Sequence, residues 1–324
     1  MCSAFSSCPS KDPVRMNRAY PYIAIVTAML IWSLSGIAIK EALTVFPQLT
    51  LIVLRFTIAV LLMLSVGLSA RAVSRRRKGQ ESGLALQRVE RKDLPVFLLG
   101  GFFQPFLYFI LETFTYDSLS SPTIAEALLS TAPVFAPVFG IVLLRERVTR
   151  NNILGIVLST AGMLMLILVG ADSFALGNAW GVLTAFLAVS AALLYSVTLK
   201  RVPERYNSLT VVFYMQSFSL LLFFVCWLFT DKTQAPLTAS AVLSVLYLAV
   251  FSSVTAFILF CYTVRQIGIT RANVFNNIRP AFTAIAMFLI FDEHLPWGKL
   301  AGIALIIIGL FICQYVKKEP EKHI

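Results

Sequence analysis

Four ionisable residues lie inside long apolar runs of this chain: Arg55, Glu112, Glu126 and Arg279. A charged side chain at the centre of a bilayer costs about 2.5–3.5 kcal/mol on insertion scales, and more by other estimates. Each such residue has to face a partner, a bundle interior or a water-filled cavity, so each is a candidate functional residue. Arg55 offers a planar fork of donors that suits a substrate carboxylate or phosphate, and equally a structural ion pair. Glu112 and Glu126 suit pairing with an arginine. They also suit proton coupling, because a carboxyl group exposed alternately to two sides loads a proton on one and releases it on the other. Two cations and two carboxylates can balance within one interior.

Neutral polar groups gather near these charges. Asn273, Asn276 and Asn277 precede Arg279 with the i, i+3, i+4 spacing that puts three amides on one face of an α-helix. Amides that donate and accept beside a guanidinium suit a zwitterion or another polar metabolite; bonding between helices is the plainer role. The candidate binding set is Arg55, Tyr108, Glu126, Ser130, Asn273, Asn276, Asn277 and Arg279, with Glu112 and Glu126 as proton-coupling candidates. Trp32 and Tyr195 are further aromatic candidates for a cavity wall. Pro105, Pro133, Pro137 and Pro280 each remove a backbone donor within an apolar run and permit a kink. Pro133 and Pro280 adjoin the polar cluster and are the candidate hinges.

The elements that must position these residues are legible in the hydropathy. The 324 residues are 58% hydrophobic and only 13% charged, with a mean hydropathy of +0.81, more apolar than a soluble domain. Windows of about 20 apolar residues, enough to cross ~30 Å of hydrocarbon as a helix, fall at 20–40, 47–69, 94–116, 123–144, 152–170, 178–199, 209–229, 240–263, 271–291 and 297–316. Because an open sheet edge cannot be satisfied in lipid, these runs read as helices. The expected fold is an all-α integral membrane protein with ten transmembrane helices.

A net charge of +11 is of the sign that nucleic-acid binding needs, but the basic residues sit in the breaks between apolar runs and form no patch on a soluble surface. They set orientation instead. With both termini in the cytoplasm, only Lys40, Lys232 and Lys299 fall outside, while Arg55 and Arg279 lie within spans. The expected layout is a cytoplasmic segment 1–19, with Met16 as an alternative start, a basic mobile cytoplasmic loop at 70–93 that includes Arg75, Arg76, Arg77 and Lys78, and a cytoplasmic tail at 317–324. The first span is too long for a signal-peptide core and lacks a cleavage site, so it is expected to be retained. Cys2, Cys8, Cys226, Cys261 and Cys313 show neither metal-ligand nor disulfide-framework spacing, and no cofactor is expected.

The chain also repeats itself. A shift of 147 positions carries Thr123, Ala125, Pro133, Phe135, Glu146, Gly155, Ile156, Leu158 and Gly162 onto Thr270, Ala272, Pro280, Phe282, Glu293, Gly302, Ile303, Leu305 and Gly309 without a gap. An odd number of helices separates the copies, so they enter the membrane with opposite polarity. This divides the chain into two inverted five-helix repeats, 20–170 and 178–316. Ser33–Lys40 echoes Leu193–Lys200 more weakly. The same shift sets Asn273 against Glu126 and Asn277 against Ser130. The paired glycines read as close-packing surfaces. Glu146 and Glu293 read as structural carboxylates bonding backbone groups in their turns.

Trp32–Lys40 (WSLSGIAIK), Leu54, Arg55 and Phe56 (LRF), and the Pro133, Glu146, Gly155 and Pro280, Glu293, Gly302 series carry a resemblance to the drug/metabolite transporter superfamily, specifically its EamA-type ten-helix proteins. The resemblance covers residues 20–316. It implies two five-helix repeats and transport of amino acids, other metabolites or drugs, with export as the direction. The expected function is therefore a secondary transporter of a small polar metabolite in the cytoplasmic membrane, working by alternating access with protons as the candidate coupling ion. A facilitative exchanger, or a membrane receptor or assembly subunit that transports nothing, is the alternative. No metalloprotease motif, nucleophile elbow or P-loop is present in the sequence, which argues against an enzyme and against ATP-driven pumping.

Overall fold

The computed structural model describes residues 19–76, 84–118, 128–129, 131–168, 179–230, 235–291 and 296–314. These are helical throughout apart from turns and short connections. The helices are α1 (Tyr20–Leu43), α2 (Gln48–Arg76), α3 (94–118), α4 (Ala132–Leu144), α5 (Arg150–Leu168), α6 (Ala179–Arg201), α7 (Ser208–Leu228), α8 (239–267), α9 (269–291) and α10 (Trp297–Gln314). Seven of them, α1, α2, α3, α6, α7, α8 and α10, are long and apolar enough to cross a membrane. Ten spans are thus not reached among the described residues. The described part of α4 is only 13 residues long, α5 opens on Arg150, Asn151 and Asn152, and α9 is interrupted and rich in amides.

Local chemistry sets the helix ends. Proline occupies the first turn of α1, α3 and α4, where a missing N–H costs nothing. The Asn207 side chain accepts from the Thr210 N–H to cap α7, and Thr238 does the same for the Ala241 N–H at α8. Between α8 and α9 the chain reverses at Gly268, whose φ of +88° a side chain would strain. The outward faces stay apolar: Phe311 is 75% and Leu289 70% exposed, which is a surface made for lipid rather than water.

The helices pair across the two halves of the chain. α1 packs on α8 and α6 packs on α3, while α2 packs on α7, α4 on α9, and α5, most extensively, on α10. The α5–α10 pair shows why glycine recurs there. A Cβ on Gly155 would lie 2.5 Å from the Gly309 carbonyl oxygen, and one on Gly162 would lie 2.6 Å from that of Gly302. Residue 155 meets 309 and residue 162 meets 302, so the two helices run antiparallel with backbones in contact. The close-packing role expected of these glycines holds.

Glu146 follows α4 and bonds across to α9. Its carboxylate accepts from the backbone N–H of Ile269 at 2.8 Å and of Thr270 at 3.3 Å, and from the Thr270 hydroxyl at 3.0 Å. It thereby satisfies donors that the first turn of a helix leaves open. Gly140 and Gly268 make room for it, since a Cβ at either would fall within 2.8 Å of a carboxylate oxygen.

The expectation of a mobile loop over 70–93 is corrected on two counts. Helix α2 continues to Arg76, and residues 84–93 are fastened to the α6–α7 turn. Gln87 N–H donates to the Thr210 hydroxyl at 3.0 Å, and its Oε1 accepts from the Asn207 N–H at 2.7 Å. Asn207 Nδ2 donates to the Ala85 carbonyl. The Tyr206 hydroxyl accepts from the Glu90 N–H at 3.0 Å and donates to Asp93 at 2.7 Å, and Arg205 pairs with both Glu90 and Asp93. Leu86 fills the notch left by Gly67 of α2. Low hydrophobicity suggested mobility; the order comes from polar partners more than 110 residues away in sequence. Residues 77–83 lie outside the described set.

Candidate functional site

Three helices lose regular α geometry at the centre of the bundle. In α3 a π-helical turn covers Phe102–Leu107, with Pro105 inside it and Gln104 fully extended (φ −149°, ψ 127°). In α8 a π-helical stretch covers Leu248–Thr255, where the Thr255 hydroxyl donates to the Val250 carbonyl five residues back. In α9 a short α segment, Ile269–Asn273, passes into a 3₁₀ stretch, Val274–Ile278, before regular helix resumes at Arg279. Such interruptions expose backbone and redirect side chains, and in membrane proteins they line cavities.

A cavity of about 100 Å³ lies at these breaks. Its walls include Arg55, Tyr108, Glu112, Asn273, Asn276 and Arg279 from the expected set, together with Trp32.

Arg55 is 3% exposed. Its Nε donates to the Ser253 hydroxyl at 3.0 Å and an Nη reaches the Ser252 hydroxyl at 3.5 Å. The guanidinium also lies 5.1 Å from the Phe109 ring centroid and 5.2 Å from that of Phe56, close enough for cation–π attraction. It is thus oriented by two hydroxyls and two rings, with the Glu112 carboxylate in its field. The Tyr108 hydroxyl donates to Glu112 Oε1 at 3.0 Å, one helical turn away.

On α9, Asn276 Nδ2 donates to the Asn273 carbonyl at 3.0 Å and to its Oδ1 at 3.3 Å. Asn273 Nδ2 in turn donates to the Ile269 carbonyl and to Ser196 of α6. Asn277 does not join them. Its Nδ2 donates to the Ser159 and Thr160 hydroxyls of α5, and the side chain is fully buried there. An α-helix would put residues 273, 276 and 277 together. A 3₁₀ helix, with three residues per turn, superimposes 273, 276 and 279 and sends 277 a third of a turn away. The change of helix type therefore exchanges Asn277 for Arg279 on the cavity wall.

The other expectations divide. Trp32 lines the cavity and donates its Nε1–H to the Ser252 carbonyl at 3.1 Å, with Phe257 and Phe260 rings 5.3 and 5.4 Å away. Tyr195 is 1% exposed, packs on Phe257 and does not line the cavity. Pro133 sits in the first turn of α4 and Pro280 is the second residue of the regular part of α9, so both open helical segments. Glu126, Ser130 and Glu293 lie outside the described residues. Gln104, Ser252 and Ser253 are cavity or supporting residues that the sequence reading passed over. Their signal was available: a glutamine before a mid-span proline, and paired serines in the middle of an apolar run.

Helices with an apolar exterior, packed around a polar cavity at their own breaks, define a multi-pass integral membrane protein of the transporter class. Comparison with known proteins makes this specific. The chain matches the EamA-like transporter family over residues 19–168 and again over 179–314, and it belongs to that family. It is 26% identical over 307 residues to the uncharacterized transporter YcxC of Bacillus subtilis, covering 92% of this chain and 93% of that protein. It is 25% identical over 291 residues to a probable terminal-alkyne amino-acid exporter of Streptantibioticus cattleyicolor, covering 89% and 91% of the two chains. One solved crystal structure, 21% identical, superimposes with a TM-score of 0.75 over 92% of this chain and 99% of that one, and shares its fold.

Proposed function

We propose that the chain is a secondary transporter that exports a small polar metabolite, an amino acid or related compound, across the cytoplasmic membrane by alternating access coupled to protons. The observation that carries this reading is the convergence of Arg55, Glu112 with Tyr108, Asn273, Asn276 and Arg279 on one cavity at three helix breaks. A zwitterion is the natural complement: its carboxylate faces a guanidinium, its ammonium faces Glu112, and the amides take its remaining donors and acceptors. The name of the Streptantibioticus relative supports an amino-acid-like cargo moving outward.

The reading includes ten spans with both termini in the cytoplasm, arranged as two five-helix repeats of opposite polarity. The double family match supports it. So does the pairing of helices: α1–α8 and α6–α3 exchange under a two-fold operation that pairs α2, α4 and α5 with α7, α9 and α10. Glu112 is the proton carrier in this scheme, with Glu126 as its alternative from sequence, and Pro133 and Pro280 are the hinges at which helical segments swing.

Reconstitution into proteoliposomes tests the proposal. A panel of amino acids and related zwitterions should include one whose flux an imposed pH gradient drives. In Glu112→Gln that gradient-driven flux should fall at least about tenfold, the factor that ~1.4 kcal/mol represents, while counterflow exchange without a gradient, weakened by the lost ammonium partner, falls by less. A Glu112→Gln protein that responds to the gradient like wild type removes Glu112 as the carrier. Counterflow with no gradient response in wild type would make the protein a facilitative exchanger instead.

A further inference from the structure

A second and larger cleft, of about 790 Å³, opens away from the central cavity where α6 ends, α7 begins and α8 approaches its last turn. It lies at the end of the molecule that carries the 84–93 strap. Two cations face it, Lys200 and Arg265, both within two residues of their helix ends. That position is the depth of lipid headgroups, where the apolar span meets water.

The two cations are held by neutral groups. Lys200 Nζ donates to the Arg265 carbonyl at 2.8 Å. The two Nη groups of Arg265 donate to the carbonyls of Tyr206 at 2.6 Å and Pro203 at 3.0 Å. Carbonyls fix the side chains without cancelling their charge. Among the described residues neither cation has a carboxylate within 4 Å, whereas Arg205 nearby has two. Among the described residues Glu204 is the one acidic residue on the wall, and it is exposed. The 21-residue helix α7 also begins at Ser208 on this wall, and the positive end of its dipole adds to the field. Beneath the charged mouth the wall is apolar, formed by Ile258 and Leu259 of α8.

We propose that this cleft seats the phosphate headgroup of an anionic membrane phospholipid, with Lys200 and Arg265 at the phosphate and the upper acyl chain against Ile258 and Leu259. A fixed guanidinium and an ammonium at the membrane boundary, above an apolar floor, match an amphiphile that carries its negative charge at the same depth. Free phosphate shares the headgroup chemistry but has no use for the floor.

The full-length protein in neutral detergent tests this by native mass spectrometry and thermal unfolding. Titration with phosphatidylglycerol, phosphatidylcholine or inorganic phosphate separates the sources. Phosphatidylglycerol should bind at one preferred site at least tenfold more tightly than phosphatidylcholine and raise the unfolding temperature. Lys200→Gln should reduce that preference at least threefold. Ile258→Trp, which fills the floor and leaves both cations, should weaken phosphatidylglycerol without restoring phosphatidylcholine, and it reads the site even where Arg265→Gln fails to fold. Equal binding of the two lipids, an unchanged preference in Lys200→Gln, or an unchanged phosphatidylglycerol affinity in Ile258→Trp overturns the proposal. Equal stabilisation by inorganic phosphate also overturns it, assigning the cleft to a soluble anion.

Discussion

Helices α3 and α8 break at corresponding places by different means. The 147-residue shift carries Phe102–Leu107 onto 249–254, inside the π-helical stretch Leu248–Thr255, and sets Ser252 where the first repeat has Pro105. The break in α3 is written into its own chain: Pro105 lacks an N–H, and the extended Gln104 beside it leaves the helical path. The break in α8 contains no proline. Neighbours hold it instead, with Arg55 donating to both serine hydroxyls, Trp32 donating to the Ser252 carbonyl and Gln216 Nε2 donating to the Ser253 carbonyl at 2.6 Å. The difference teaches a division of labour. One break carries Gln104, Tyr108 and Glu112 into the cavity; the other is clamped through its serines and anchors the cation they face.

Removing the clamp should break this comparison most severely. Arg55→Leu deletes two bonds to a charged donor, each about 1.5–3 kcal/mol, and leaves the serines without their donor, so transport should fall more than tenfold in proteoliposomes. Arg55→Lys should do nearly as badly, because one ammonium cannot reproduce a fork. A lysine variant at full rate would show that charge alone suffices and that the clamp is idle. Next in size, Pro105→Ala permits α3 to close into regular helix, and initial transport rates should drop by about fivefold. Ser252→Ala, at the equivalent position, removes only the bond to Arg55 that is stretched to 3.5 Å, at the limit of hydrogen-bond distance and so well short of full strength, and should cost about twofold by the same assay. Equal effects at the two positions would erase the distinction between a local and an imposed break.

Gly162→Val serves as the control that touches neither break. Its side chain meets the α10 backbone at the α5–α10 crossing, and such overpacking costs about 1–3 kcal/mol. Thermal unfolding should shift downward while transport per folded molecule stays the same. The smallest effect concerns the 84–93 strap. The Tyr206 hydroxyl, then Arg205, hold the Asp93 carboxyl below the usual carboxylate range. A carboxyl lowered in the folded state contributes above its unfolded value and loses that contribution as pH falls through the folded one. Protection of the amides of residues 84–93, as the exchange rate relative to that of an unfolded chain at the same pH, should thus be unchanged from pH 7 to about 5 and fall only below about 4. In Tyr206→Phe the loss of protection should begin at higher pH.

How much of the site was legible depended on whether its geometry was local. Arg55, Glu112, Tyr108 and Arg279 stood out because a charge or phenol in an apolar run has few innocent explanations. Asn277 turns to α5 rather than to the cavity, which 3.6 residues per turn does not foresee, and nothing in Asn273–Arg279 announces a 3₁₀ stretch. Ser252 and Ser253 were passed over because a serine in a helix usually bonds its own preceding turn; their part emerges only when α2 lies beside α8. The strap was misread for the same reason, since Gln87, Glu90 and Asp93 look solvated until Asn207, Thr210 and Tyr206 are placed against them.

By itself the sequence determined that this is an all-helical membrane protein built on a duplicated pattern, with charges that need an interior. Hydropathy, proline and glycine placement act within a turn or two, and the cost of unsatisfied polar groups in lipid leaves helices as the answer for such runs. Only the tertiary structure decided where those helices break, which polar residues meet at the breaks and which turn away. Those outcomes rest on hydrogen bonds and backbone contacts between segments far apart in the chain, such as Arg55 with Ser253, and no local period of the sequence encodes them.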